Sequence, residues 1–234
     1  MTYADYTRNT KEPLKRIAHA RRFQQLVRDI AAPVISDTVL DYGCGDGHLL
    51  SYFAGQMNRQ NLVGYDPNPR LLAEATEEIR DGAQLTTDIE LLKSRRPFGF
   101  SLIYCNEVCE HLTDNAMKEL FDNVKALSAP HGRVVFGVPI ETGLSGLVKN
   151  LYRAAKGAGD PANVRNALLS LVAAPIERQT TDVEWFGHHV GFDHAKFRKK
   201  LCSNGFKINR THCLPLMFTG AALNNEIYFI CSAR

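Results

Sequence analysis

Residues 39–50 read VLDYGCGDGHLL: an apolar run carrying an aspartate at 41, then glycines at 43, 45 and 47. A short apolar run bounded by turn-formers reads as a strand buried on both faces. Three alternating glycines are more than a plain turn needs. Glycine permits positive φ and lets the backbone approach another molecule closely, so the loop reads as a ligand cradle at the strand's carboxyl end. The spacing is Gly-x-Gly-x-Gly. A dinucleotide-type Gly-x-Gly-x-x-Gly would need glycine at 48, where this chain has His48.

Working outward, strand-like and helix-like segments alternate. TVLDYG (38–43) precedes a helical stretch GHLLSYFAGQM, and NLVGYD (61–66) precedes PRLLAEATEEIR, with Pro69 at a helix start. AQLTTDI (83–89) is a weaker third strand and SLIYCNEV (101–108) a fourth. AMKELFDNVKALSAP is an amphipathic helix closing at Pro130, and GRVVFGVP (132–139) a fifth strand. Alternation at this pace implies parallel pairing through right-handed crossovers, hence a doubly wound α/β sheet. Residues 142–190 interrupt it with helical pieces, GLVKNLYRAAKG and NVRNALLSLVAA, read as an inserted cap. The helix DHAKFRKKLCSNG and two closing strands, FKINRTHCLPL and NNEIYFICSAR, complete the chain. The short link between those strands predicts an antiparallel hairpin at the sheet edge.

The chain has 234 residues and a formal net charge of +3. Residues 8–28 hold Arg8, Lys11, Lys15, Arg16, Arg21, Arg22 and Arg28 against Glu12 alone, so 1–36 reads as a basic helical segment. Residues 149–200 are also rich in Lys and Arg. Both are either solvated helix faces or borders of a site for an anionic substrate or membrane surface. No apolar run approaches the ~18 residues that span a bilayer. MTYADYTRNTKEPLKR carries no apolar signal region, and the six cysteines form no CxxC pair. A cytoplasmic protein with reduced thiols is expected.

Asp41 stands two residues ahead of the glycine loop and Asp66 ends the next strand, where a carboxylate can accept from both hydroxyls of a ribose. VLDYGCGDG, VGYDPNP, LTTDIELL and IYCNEVCEHL together resemble the motif series of class I S-adenosylmethionine-dependent methyltransferases, over about residues 37–140. The resemblance implies a methyltransferase domain at 37–234, with seven strands, the last antiparallel, and S-adenosylmethionine over the first two strand ends. It implies that Asp41 and Gly43 contact the methionine part of that cofactor and Asp66 its ribose. Asp88 and the backbone of Ile89 would meet the adenine amino group, and Asn106 would lie near the methionine end. Gly45 and Pro67 belong to the same implied set. Asp88 is equally suited to cap a helix before IELL.

In NEVCEHL (106–112), Glu107, Glu110 and His111 stand at i, i+3 and i+4, one face of any helical turn. Two carboxylates and an imidazole can bind a divalent cation or supply a general base. This E-x-x-E-H pattern is similar to that of ubiquinone-pathway O-methyltransferases and small-RNA 3′-end methyltransferases. The resemblance implies Mg²⁺ held by Glu107, Glu110 and His111, with a further His such as His189 from FGHHVGFDH. A cation lowers the pKa of a bound hydroxyl and orients it. Without one, His111 is the natural base, its reference pKa of ~6.5 lying near working pH.

Cys-Asn-Glu-Val after strand four replaces the Asn-Pro-Pro-Tyr of exocyclic-amine methylation, and no Pro-Cys nucleophile is present. The expected reaction is O-methylation of a hydroxylated small molecule, glycan or lipid-linked intermediate, with peripheral membrane contact compatible. Trp185 and Phe186 would wall the acceptor pocket or fill the core. An RNA 2′-O-methyltransferase, a non-catalytic methyltransferase-fold binding protein and a nicotinamide oxidoreductase are the rival readings.

Overall fold

The structure, a computed structural model, describes residues 22–157, 163–180, 184–216 and 219–233. Most of the basic N-terminal segment, residues 1–21, lies outside them. Among the described residues, seven strands form one sheet in the order β3-β2-β1-β4-β5-β7-β6. They are β1 Val39–Tyr42, β2 Leu62–Tyr65, β3 Gln84–Thr86, β4 Phe100–Asn106, β5 Ser128–Pro139, β6 Phe206–Leu214 and β7 Glu226–Ala233. β1 runs parallel to both β2 and β4, and β2 parallel to β3. The sheet is mixed, mostly parallel, with the last strands antiparallel. The order reverses at the β1/β4 boundary, where open α/β sheets bind their ligands. In β1 and β2 every residue is buried, as parallel strands covered on both faces require.

The chain divides into two compact units. The first contains the described residues up to Asn106, with Asp122–Val135 and Ile230–Ala233. Its helices are α1 His48–Ser51, α2 Pro69–Ala73, α3 Glu77–Gly82 and α4 Ile89–Arg95. Its core holds Leu40, Leu62, Phe100, Leu102 and Tyr104, all fully buried. The second unit contains Glu107–Phe121 and Phe136–Phe229. Phe121, Phe136 and Phe206 meet there edge-on, with ring centroids 5.1–5.8 Å apart. This geometry adds to the burial gain of the rings. α5 Asp114–Leu127 begins in this unit; α6 Gly143–Ala155, α7 Val164–Leu171 and α8 His194–Ser203 lie after β5.

Three local readings are revised. The helix expected over 69–80 is two helices, because Thr76 is extended and its hydroxyl caps the second by accepting from Ile79 N. The stretch 47–57 is helical only over His48–Ser51 before turning. The strand expected over 83–89 is confined to Gln84–Thr86, because Asp88 caps a helix over Ile89–Arg95 as its position before IELL suggests, its Oδ1 accepting from Leu91 N at 2.9 Å. Asp193 caps α8 as its sequence position suggests, accepting from Ala195 N and Lys196 N.

Candidate active site

The first unit carries the glycine loop. Gly43, Gly45 and Gly47 have φ of 81°, 56° and 76°, the left-handed region that side chains disfavour. The loop is braced from β2. Gly43 N and Cys44 N both donate to Tyr65 O, and Gly45 N donates to Asp66 Oδ2 at 2.9 Å. Asp66 Oδ1 accepts from Asn68 N at 2.9 Å, so each oxygen has one backbone partner and retains a second acceptor site. Gly64 makes room for this: a Cβ there would lie 2.8 Å from Cys44 Sγ.

Asp41, level with Gly64 and Tyr104 in the sheet, is 4% exposed. Burial pushes its carboxyl up to about 8, helped by the charges of Asp66 and Asp46. Burial also raises Asp66, against the amides of Asn68 and Gly45. Such a cluster of buried acids favours a cationic ligand. Asn106 ends β4; carrying the β1/β4 register two residues past Asp41↔Tyr104 brings it level with Gly43. Its Oδ1 and Nδ2 are both enclosed and lack a hydrogen-bond partner among the described residues. Pro67 is exposed, Asp88 is exposed and committed to its cap, and Ile89 opens α4. The glycine cradle, the acid cluster and the Asn106 amide together fit S-adenosylmethionine, whose sulfonium and ammonium groups are cationic.

The second unit carries the Glu-x-x-Glu-His segment. Glu107 has φ 55°, a left-handed turn that ends the strand, and Cys109–His111 form one 3-10 turn. Leu112 and Trp185 form an antiparallel bridge, and Phe186 N donates to His111 O at 2.6 Å. This pairing brings the FGHH segment to His111. His111 Nδ1 lies 2.7 Å from Phe186 O; a carbonyl only accepts, so Nδ1 carries the proton. Its Nε2 faces His189 Nε2 at 3.0 Å, and Glu110 Oε1 lies 3.9 Å from the latter. Glu110 is fully buried. Trp185 stacks on His111, with centroids 4.4 Å apart and planes 4° off parallel.

Burial lowers the His111 imidazole, the Phe186 carbonyl and Glu107 opposing. Burial and then His111 push His189 down to about 4, against Glu107 and Glu141. Both rings are therefore neutral at pH 7. Among the described residues, Glu110, His111 and His189 bring ligand atoms within 4.8 Å of one another. Glu107 stands outside that trio and acts on both rings through its charge.

Arg178, counted in the sequence only among the basic residues of 149–200, has a place here that sequence reading missed. Its Nη2 donates to Glu110 O and His188 O, and its guanidinium lies 3.9 Å from the Phe186 ring centroid. Burial lowers it to about 10, with Glu110 and Glu141 opposing. No local pattern announces it, since its partners lie 68 and 10 residues away.

A seven-stranded sheet of this order, with a glycine cradle after β1 and an acid closing β2, defines a class I S-adenosylmethionine-dependent methyltransferase. The chain belongs to the family described as "Methyltransferase domain", which matches residues 11–190. A curated relative, trans-aconitate 2-methyltransferase of Klebsiella pneumoniae (strain 342), is 26% identical over 136 residues. That match covers 58% of this chain and 47% of the relative, about half its length. Magnesium protoporphyrin IX methyltransferase of Synechocystis PCC 6803, solved with bound S-adenosylhomocysteine, superposes with TM-score 0.57 at 16% identity, covering 96% of this chain and 89% of that one. The glycopeptide N-methyltransferase MtfA, complexed with S-adenosylmethionine, gives TM-score 0.56 at 12% identity over 93% of both chains.

Proposed function

We propose that this chain moves the methyl group of S-adenosylmethionine to a hydroxyl oxygen of a small acceptor, with His111 as the proton acceptor. The cofactor, when bound, supplies a methyl on a positively charged sulfur, which any oriented oxygen nucleophile can displace. The reading rests on the neutral imidazole of His111. Its Nδ1–H is tied to the Phe186 carbonyl, so the Nε2 lone pair faces His189 Nε2, the partner that an acceptor hydroxyl would replace. When Nε2 takes the hydroxyl proton, the imidazolium keeps its Nδ1–H···O bond and gains the field of Glu107. Trp185 keeps the ring in one plane. On the first unit, Asp41, Gly43, Gly45, Asp66, Pro67 and Asn106 form the proposed cofactor set, while Asp88 and Ile89 border the adenine.

Glu110, His111 and His189 also make a donor set for a divalent cation, with Glu107 contributing charge. A cation there would lower the pKa of a hydroxyl bound to it. Two imidazoles among three donors suit Zn²⁺ or a similar borderline ion better than Mg²⁺, which prefers oxygen. A small acidic acceptor is in keeping with the name of the trans-aconitate relative.

Calorimetry with S-adenosylhomocysteine, then with Zn²⁺ or Mg²⁺ alone, tests both parts. Micromolar cofactor binding is expected, unchanged by EDTA. His111→Ala should spare that binding and abolish turnover of hydroxylated acceptors. Full turnover in His111→Ala would end the reading.

A further inference from the structure

The helical hairpin α6–α7 in the second unit is packed inside out. The residues these helices bury are small or polar: Ser145, Gly146 and Asn150 on α6, and Asn166, Ala167 and Ser170 on α7. Asn150 Nδ2 donates to Ser170 Oγ at 2.9 Å, and Ser145 Oγ donates to Asn224 O at 2.6 Å. A Cβ on Gly146 would meet Glu141 O at 2.2 Å and Ser170 Cβ at 3.2 Å, so the approach depends on the missing side chain. The apolar residues point the other way. Leu144, Val148 and Tyr152 on α6, and Val164, Leu168 and Val172 on and just after α7, recur every fourth residue and are 45–72% exposed. An ordinary surface helix turns its apolar stripe to the core; here two stripes face outward.

Charge decides what covers them. Neither helix contains an Asp or Glu, while Lys156 and Arg165 are exposed at their ends. Arg153 and Lys149 are turned inward onto the buried Glu141. A second copy docked face to face would set cations beside cations. An anionic surface would meet the apolar stripes and their cationic margin together. Among the described residues, no helix is long and apolar enough to cross a membrane. We propose that the outer face of α6–α7 lies on an anionic lipid bilayer, its apolar stripes in the interface and its cations among the headgroups. This stands apart from the O-methylation reading.

The test is flotation of the full chain with vesicles of phosphatidylcholine, alone or mixed with phosphatidylglycerol. Binding is expected to the mixed vesicles and to weaken as salt screens the headgroups. Val148→Ser with Leu168→Ser should lower partitioning about tenfold or more, since each exposed side chain would lose its burial in lipid. The same variant should keep its circular dichroism and its S-adenosylhomocysteine affinity, which separates a lost surface from a lost fold. Failure to bind phosphatidylglycerol vesicles, or binding that ignores both substitutions, would overturn the proposal. So would concentration-dependent dimerisation abolished by the variant without any vesicle binding; a second copy would then be the occupant.

Discussion

Asp41 is a buried acid that Asp66 and Asp46 help to keep protonated, with its carboxyl pushed up to about 8. In the unfolded chain it would ionise near 4. The folded state thus holds more protons than the unfolded one between those limits, and stability falls as pH rises through that window. The two lowered imidazoles work oppositely. Their unfolded forms bind the extra proton, so their contribution falls as pH drops below 6.5, for His189 toward about 4. Between pH 6.5 and 8 only the Asp41 effect operates among these three. Asp41→Asn should therefore stabilise the ligand-free protein by roughly 1–3 kcal/mol at pH 8 and flatten that slope, read by denaturant melts. A cationic cofactor should expel the Asp41 proton on binding. Calorimetry at pH 7 in buffers of different ionisation enthalpy should show proton release in the wild type and none in Asp41→Asn. Asn106→Ala should weaken S-adenosylhomocysteine binding about tenfold while leaving the melting temperature unchanged or raised, because it deletes an enclosed amide without partners among the described residues. A drop in both would mark Asn106 as structural. Asp66→Ala should do more than remove a ribose contact: it frees the amides of Gly45 and Asn68, so the glycine loop itself should loosen, visible as faster amide exchange there.

At the scale of elements, the anchor of α6 is Glu141, 1% exposed and held by Arg153 Nη1 at 2.6 Å and Lys149 Nζ at 3.3 Å. Lys149, foremost, and Arg153 keep its carboxyl below the usual range despite burial. Its contribution is thus present above the ordinary carboxylate pKa and lost as pH falls. Glu141→Gln should cost roughly 1–3 kcal/mol at neutral pH, partners being partly exposed, and the deficit should vanish in acid. An equal deficit at pH 3 and 7 would show a packing effect only. The sequence made these helices legible and their orientation illegible. Apolar residues four apart announce a helix whichever way the stripe faces, and the decisive residues are small or polar: Ser145, Asn150, Ser170. The break at Thr76 was hidden for a related reason, since one hydroxyl cap outweighed an unbroken apolar period.

Across the whole molecule, alternation of strand and helix was enough to foresee the doubly wound sheet, because every parallel pair needs a crossover and each crossover leaves its own periodicity. The glycine loop was legible too, since φ above zero selects glycine locally. The Glu110–His111–His189 trio was only half legible. His189 and His111 are 78 residues apart, joined through the Leu112–Trp185 bridge, and no local pattern encodes such a pairing. The proposed cofactor and cation donors fall in different compact units. Cofactor affinity is expected to be indifferent to chelators because no proposed cofactor contact is a cation donor, while Zn²⁺ should raise the melting temperature of the wild type and not of a His111→Ala, His189→Ala double variant. Chelator-sensitive cofactor affinity would link the two sets.

The stacking of Trp185 on His111 has an optical corollary. The chain contains one tryptophan, so its indole emission reports on the surroundings of Trp185, the stacked His111 ring foremost. An imidazolium quenches a stacked indole more strongly than a neutral imidazole does. An emission titration should thus show dimming at a pH below 6.5, and the same titration in His189→Ala should assign it to the proton on His111.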